Sequence, residues 1–117
     1  MSNQIIVKNK IQDFNKSIIV SGDKSLSIRW VLFSSIAEGT SKAYNLLLSE
    51  DVLAAINAVK KLGAKIRLNK NYCTITGNGL SGYKYQKDIT INSENSGTLG
   101  RLIMGLLIDT PYKIKII

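Results

Sequence analysis

Apolar and polar residues alternate in two rhythms along these 117 positions, one of period two and one of period three to four. Ile5 to Lys8 and Ser17 to Val20 are short β-branched runs and read as two strands, joined by a polar turn around Gln12-Asp13. From Lys24 to Ala37 the spacing becomes helical, with Leu26, Trp30, Phe33 and Ala37 on one stripe. Glu38-Gly39-Thr40 is expected to stop this helix, because glycine reaches the backbone conformations that end one. Lys42 to Asn45 has the character of a strand. Ser49 then precedes Glu50-Asp51, a hydroxyl to cap a helix and two acids to meet its positive end. Val52, Leu53, Ile56, Val59 and Leu62 form the apolar stripe of that second helix, and Gly63 closes it. Ala64 to Leu68 and Tyr72 to Thr76 predict a hairpin around Asn69-Lys70-Asn71. Gly77-Asn78-Gly79 and Ser81-Gly82 mark a loop, and Asp88 to Asn92 a strand. Leu99, Leu102, Ile103, Leu106 and Leu107 make a third helical stripe, and Tyr112 to Ile117 begins another strand.

This alternation predicts an α/β fold of repeated strand–helix–strand units, with helices covering one face of a mixed sheet. A faint repeat supports it. Ser21-Gly22 and Ser96-Gly97 each open a helix that carries an arginine in its first two turns and leads to a strand. The final residues, Ile114-Lys115-Ile116-Ile117, form an apolar strand without a polar tail, and the expectation is a fragment of a longer domain.

Composition narrows the function classes. With 44% apolar and 21% charged residues the chain is globular and large enough for a core. The lone Cys73 lies in a β-branched run and reads as a small buried residue, so no internal disulfide can form. The absence of histidine removes any Ser-His or Cys-His pair and argues against zinc; no metal site is expected. No apolar run approaches the roughly 18 residues of a membrane span, and MSNQIIVKNK lacks a signal-peptide core. A soluble, cytoplasmic protein is expected. The net charge of +8 suits anionic ligands. Its lysines are scattered, however, and no aromatic-interleaved basic run marks a base-stacking platform, so nucleic acid is the disfavoured partner.

Two stretches could carry chemistry. In SGDKSLSIRW, residues 21–30, Gly22 permits a tight turn and close approach of a ligand, and Lys24 adds a charge at a helix start. Ser25 and Arg29 are four apart and share a helical face, where a carboxylate could accept from both. The plainer reading is a capped helix, with Asp23 as an ordinary acid of the first turn. In NSGTLGR, residues 95–101, Asn95, Ser96 and Thr98 offer capping groups around Gly97, with Arg101 one turn later. Here too a plain capped helix is the alternative. Neither stretch has the spacing of a phosphate-binding P-loop, and no dinucleotide fingerprint is present.

The segments SGDKSLSIR, AEGTS, NLLLSEDV, KKLGAKI and NSGTLGR, in this order and spacing, resemble the enolpyruvyl transferase family. The likeness runs from Val20 to Leu107 and is strongest to the 5-enolpyruvylshikimate-3-phosphate synthase branch. That resemblance implies transfer of the enolpyruvyl group of phosphoenolpyruvate to the 5-hydroxyl of shikimate 3-phosphate, with release of phosphate and no metal or organic cofactor. It implies that Lys24 contacts phosphoenolpyruvate near the 5-hydroxyl and that Ser25 and Arg29 hold the shikimate carboxylate. Gly97 would present its backbone to phosphoenolpyruvate in a pocket shaped by Asn95 and Thr98, with Asp51 and Arg101 in support. The sister branch, which acts on UDP-N-acetylglucosamine, typically has asparagine at the position of Ser25, lacks an arginine matching Arg29, and lacks the Asn95–Thr98 motif. Two positions depart from common members of the family: Ser21 stands where they have proline, and Glu94 where they have glycine.

Family members are two-domain enzymes with the site in the cleft. The resemblance therefore implies that residues 1–20 belong to the second domain and 21–117 to an incomplete N-terminal domain. It also places the proton-transfer acids outside this chain, so the fragment alone is expected to be inactive. A small basic nucleic-acid- or anion-binding module is the reading from a different class.

Overall fold

The computed structural model describes residues 4–8, 12–13 and 15–117. In chain order the elements are α1 (Lys24–Ile36), β1 (Glu38–Tyr44), α2 (Glu50–Lys61), β2 (Lys65–Leu68), β3 (Tyr72–Asn78), β4 (Thr90–Ile91), α3 (Gly97–Leu106) and β5 (Lys115–Ile116). The α/β alternation expected from sequence is present. The strands divide into two sheets rather than one mixed sheet. One is antiparallel in the order β1-β3-β2, and the other is the parallel pair β4-β5 connected through α3.

The predicted hairpin forms as β2 and β3, with Ile66 opposite Ile75. Its turn is closed by Asn69, whose Oδ1 accepts from the amides of Asn71 and Tyr72, each at 2.9 Å. Period-two alternation sends Cys73 and Ile75 into the core, whereas Lys42, Tyr44 and Tyr72 stay on the outer face. There the Lys42 ammonium lies 3.9 Å from the Tyr72 ring centroid. Burial pushes the Cys73 thiol above its ordinary value, with Lys60 opposing, which agrees with a small buried residue.

Helix α2 follows the sequence reading closely. Val52, Ile56, Val59 and Leu62 are buried, while Leu53 remains 39% exposed at the stripe's margin. Gly63 at φ 95° ends it in a Schellman arrangement: the Ala64 amide donates to the Val59 carbonyl and the Gly63 amide to that of Lys60, both at 3.0 Å. Ser49 occupies the N-cap, but its hydroxyl makes no capping bond.

Helix α1 has the predicted extent and the opposite buried face. Leu26 and Phe33 are exposed, and the core takes Ser27, Ile28, Val31, Leu32, Ser34 and Ser35. The helix carries two apolar stripes, and the buried one is Ile28, Val31 and Leu32, with serines filling the closer contacts. Ser27 Oγ accepts from the Leu47 amide at 3.1 Å, and Ser35 Oγ pairs with the Leu32 carbonyl at 2.6 Å and the Tyr83 hydroxyl at 2.7 Å. Small side chains let α1 lie against the sheet at Gly77, which belongs to β3 and not to a loop. Ala37 leaves α1 in extended conformation, so β1 starts at Glu38, earlier than expected, with Gly39 at φ 85° inside it.

The strands expected at 5–8 and 17–20 do not form. Ile5, Ile6, Val7, Ile18, Ile19 and Val20 are 63–95% exposed, and among the described residues none offers the neighbouring strand that a ladder requires. The polar turn between them falls partly outside the described residues. Leu99 and Ile103 of α3 and its C-cap Leu107 join Ile91, α1, α2 and β3 in one continuous core.

Candidate functional site

The chain enters α1 through a tightly held turn. Asn45, at φ 56°, donates its side-chain amide to the Val20 carbonyl at 2.9 Å. Gly22 is needed because a Cβ there would run into the Asn45 carbonyl oxygen and come within 2.9 Å of the Leu47 amide. Its role is thus close packing of backbone on backbone, rather than the ligand approach suggested by the sequence. The anchoring Asn45 was not marked by sequence reasoning, although asparagine is among the few residues that tolerate a left-handed backbone.

Asp23 is the N-cap of α1: its carboxylate accepts from the Leu26 amide at 2.7 Å. A negative group therefore already occupies this helix start, and an anion here must be held mainly by side chains. Lys24 supplies one. Its ammonium lies 2.9 Å from the Asp51 carboxylate, with the lysine side chain 51% and the aspartate 18% exposed. Two residues far apart in sequence and named separately are thus joined, and Asp51 ties the lysine to the first turn of α2. Ser25 is half-buried and Arg29 exposed, one turn apart on the same side of α1. A cation, a hydroxyl and a guanidinium consequently lie in the first two turns of one helix, and the guanidinium, without an ion-pair partner among the described residues, can form a two-pronged bond to a carboxylate.

The second stretch has a neutral cap. Ser96, buried, accepts from the Leu99 amide at 3.1 Å, so the positive end of α3 is not offset by a capping charge. Asn95 and Gly97 are exposed, and Thr98 is half-buried. An added Cβ at Gly97 would meet nothing within 4 Å, leaving its backbone open to an outside group. Arg101 is exposed. The helices α1 and α3 touch, but no hydrogen bond or ion pair links the two clusters among the described residues. No metal-binding cluster occurs among those residues either, and no helix there is long and apolar enough to cross a membrane.

Fold and site together define a layered α/β protein whose helix starts carry lysine, arginine and hydroxyl groups. Residues 8–115 match the sequence profile of EPSP synthase (3-phosphoshikimate 1-carboxyvinyltransferase), and the chain belongs to that family. It is 46% identical over 103 residues to the 3-phosphoshikimate 1-carboxyvinyltransferase of Bacillus cytotoxicus, covering 88% of this chain and 24% of that protein. The corresponding protein of Oceanobacillus iheyensis is 41% identical over 100 residues, covering 86% and 23%. A solved EPSP synthase from Acinetobacter baumannii superposes with a TM-score of 0.72 at 36% identity, over 85% of this chain and 23% of that one. The chain therefore spans about a quarter of the length of these relatives.

One residue beside the second stretch has an unusual backbone. Glu94, where the family resemblance leads one to expect glycine, sits at φ 50°, a conformation strained for side-chain-bearing residues. Its carboxylate is turned to Asn92, whose Nδ2 donates to it at 2.7 Å. Glu94→Gly is expected to gain about 0.5–1 kcal/mol of stability from relief of backbone strain, offset in part by the lost bond. A urea midpoint that falls in this variant would show that the Asn92 contact outweighs the strain.

Proposed function

We propose that this chain supplies one side of the substrate site of an enzyme that transfers enolpyruvyl from phosphoenolpyruvate to shikimate 3-phosphate in the shikimate pathway, in the cytoplasm. The observation that carries the reading is the Lys24–Asp51 ion pair, which fixes an ammonium at the start of α1, the helix whose first two turns also carry Ser25 and Arg29. In this reading Ser25 and Arg29 bind the shikimate carboxylate. Lys24 lies between phosphoenolpyruvate and the 5-hydroxyl, and the open backbone of Gly97 receives phosphoenolpyruvate between Asn95 and Thr98. Arg101 adds positive potential near that pocket.

The reaction is an addition followed by an elimination. The 5-hydroxyl oxygen bonds to C2 of phosphoenolpyruvate as C3 takes a proton. The hydroxyl proton is lost, C3 gives up a proton as phosphate departs, and the double bond is restored. Holding two anions in register lowers the entropic barrier, and fixed cations stabilise charge that builds on the leaving phosphate. The proton-transfer groups belong to the remainder of the enzyme, its second domain. Residues 1–20 are assigned to that domain; the exposed apolar side chains of Ile5, Ile6, Val7, Ile18, Ile19 and Val20 support the assignment. Ser25 and Arg29 favour shikimate 3-phosphate over a UDP-sugar acceptor.

Calorimetric titration of the 117-residue protein tests the reading. Shikimate 3-phosphate is expected to bind, UDP-N-acetylglucosamine not to bind, and the mixture with phosphoenolpyruvate to release no phosphate in steady state. Preference for the nucleotide sugar would transfer the assignment to the sister reaction, and sustained phosphate release would overturn the division of labour. Gly97→Ala is expected to leave the fold intact, since among the described residues its Cβ meets nothing within 4 Å beyond its own helix and chain neighbours, while weakening phosphoenolpyruvate binding at least tenfold through a clash with the ligand.

A further inference from the structure

Five residues, Asn45 to Ser49, carry the chain from the end of β1 to the start of α2 and set where Asp51 stands. The N-cap of α2 does little to fix that loop. Ser49 makes no capping bond, and its buried hydroxyl has no hydrogen-bond partner among the described residues. The loop is held instead from the side of α1. The Leu47 amide donates to Ser27 Oγ at 3.1 Å. The backbone of Asn45 and Leu47 packs on Gly22, where a Cβ would overlap the Asn45 carbonyl oxygen. The third tie is the side-chain amide of Asn45, which donates to the Val20 carbonyl at 2.9 Å.

This last bond reaches both halves of the Lys24–Asp51 pair. Val20 precedes Lys24 by four residues, and Asn45 precedes Asp51 by six. One side chain therefore fastens the segment that delivers the ammonium to the segment that delivers its carboxylate. Backbone conformation alone does not call for asparagine here. Glycine adopts φ 56° without steric cost, so what asparagine adds is the donor. Asn45 is also exposed, and water can replace an exposed hydrogen bond with little loss of stability. Its value then lies in geometry, because a cation already in place binds an anion better than one that must first be ordered.

We propose that Asn45 is a positioning residue of the substrate site, acting through Asp51 and Lys24 without touching the ligand. Its effect on shikimate 3-phosphate rests on the function proposed above, whereas its effect on the Lys24–Asp51 pair does not.

The test uses the full chain with Asn45→Gly and Asn45→Ala. Both lack the amide, but only alanine is strained at φ 56°, so alanine should have the lower urea midpoint. The Lys24 Nζ resonance is followed by nitrogen NMR without ligand, with Asp51→Asn as the reference for an unpaired ammonium. In both variants it is expected to move toward that reference, and by the same amount. Affinity for shikimate 3-phosphate, measured by calorimetry in the absence of urea, should fall about three- to fivefold in both. In a Lys24→Met background neither variant should weaken binding further. An unmoved Lys24 resonance in Asn45→Gly would overturn the proposal. So would affinities that follow the urea midpoints rather than the missing amide, the mark of a merely structural role, or a loss that persists undiminished beside Lys24→Met. Wild-type protein that fails to bind shikimate 3-phosphate would defeat the proposed function, and the ligand-free resonance would still decide the role of Asn45.

Discussion

Gly77→Ala is expected to lower the free energy of unfolding by about 3 kcal/mol, the upper end of the usual cost of overpacking. The reason is local and backbone-borne. A Cβ at this position would overlap the carbonyl oxygens of Ala37 and Ser34 and approach that of Ser35 to 2.9 Å. None of these atoms can step aside like the tip of a side chain. Either β3 moves away from α1, opening the core around Ile75, or the last turn of α1 is lost. Two further glycines separate this effect from others. Gly39→Ala meets no neighbour but adopts φ 85°, so it should cost about 1 kcal/mol for backbone strain alone. Gly105→Ala lies in α3 with open space around it and should gain about 0.5–1 kcal/mol from helix propensity. Urea midpoints ordered Gly105→Ala above wild type, then Gly39→Ala, then Gly77→Ala would support the close approach; Gly77→Ala equal to Gly39→Ala would refute it.

The same contact shows why part of the fold was legible and part was not. α2 carries the ordinary marks, with acids at the start, a clear stripe and a closing glycine, and it forms where expected. The hairpin was readable because Asn69-Lys70-Asn71 separates two β-branched runs. The buried side of α1 was not, because two apolar stripes compete on this helix, and the one that is buried, Ile28, Val31 and Leu32, is flanked by serines and meets a glycine, whose value lies in being small. The segments at 5–8 and 17–20 form no ladder among the described residues for another reason: local sequence supplies strand character, but pairing requires a partner strand. Within the site, the residue types and the shared face of Ser25 and Arg29 followed from spacing. The Lys24–Asp51 pair did not, because the loop from Asn45 to Ser49 that brings α2 beside α1 has no periodicity to read.

Lys24→Met is expected to reduce affinity for shikimate 3-phosphate about 30–100-fold, as loss of a charge-assisted bond of roughly 2–3 kcal/mol implies. Stability should respond far less. The ion pair is half-exposed at its lysine, and exposed pairs are worth about 0–1 kcal/mol because water already solvates both partners. Asp51→Asn keeps the cation but removes its anchor at 2.9 Å, so the ammonium samples more positions and affinity should fall only about three- to tenfold. In the double variant the two losses should not add, since Asp51 acts through a charge that is no longer present. Calorimetry on the four proteins, paired with urea midpoints, reads both quantities. Additive losses would give Asp51 an independent contact with the ligand. Unfolding free energies falling by more than about 1 kcal/mol with affinities unchanged would make the pair a brace between α1 and α2 and remove Lys24 from the site.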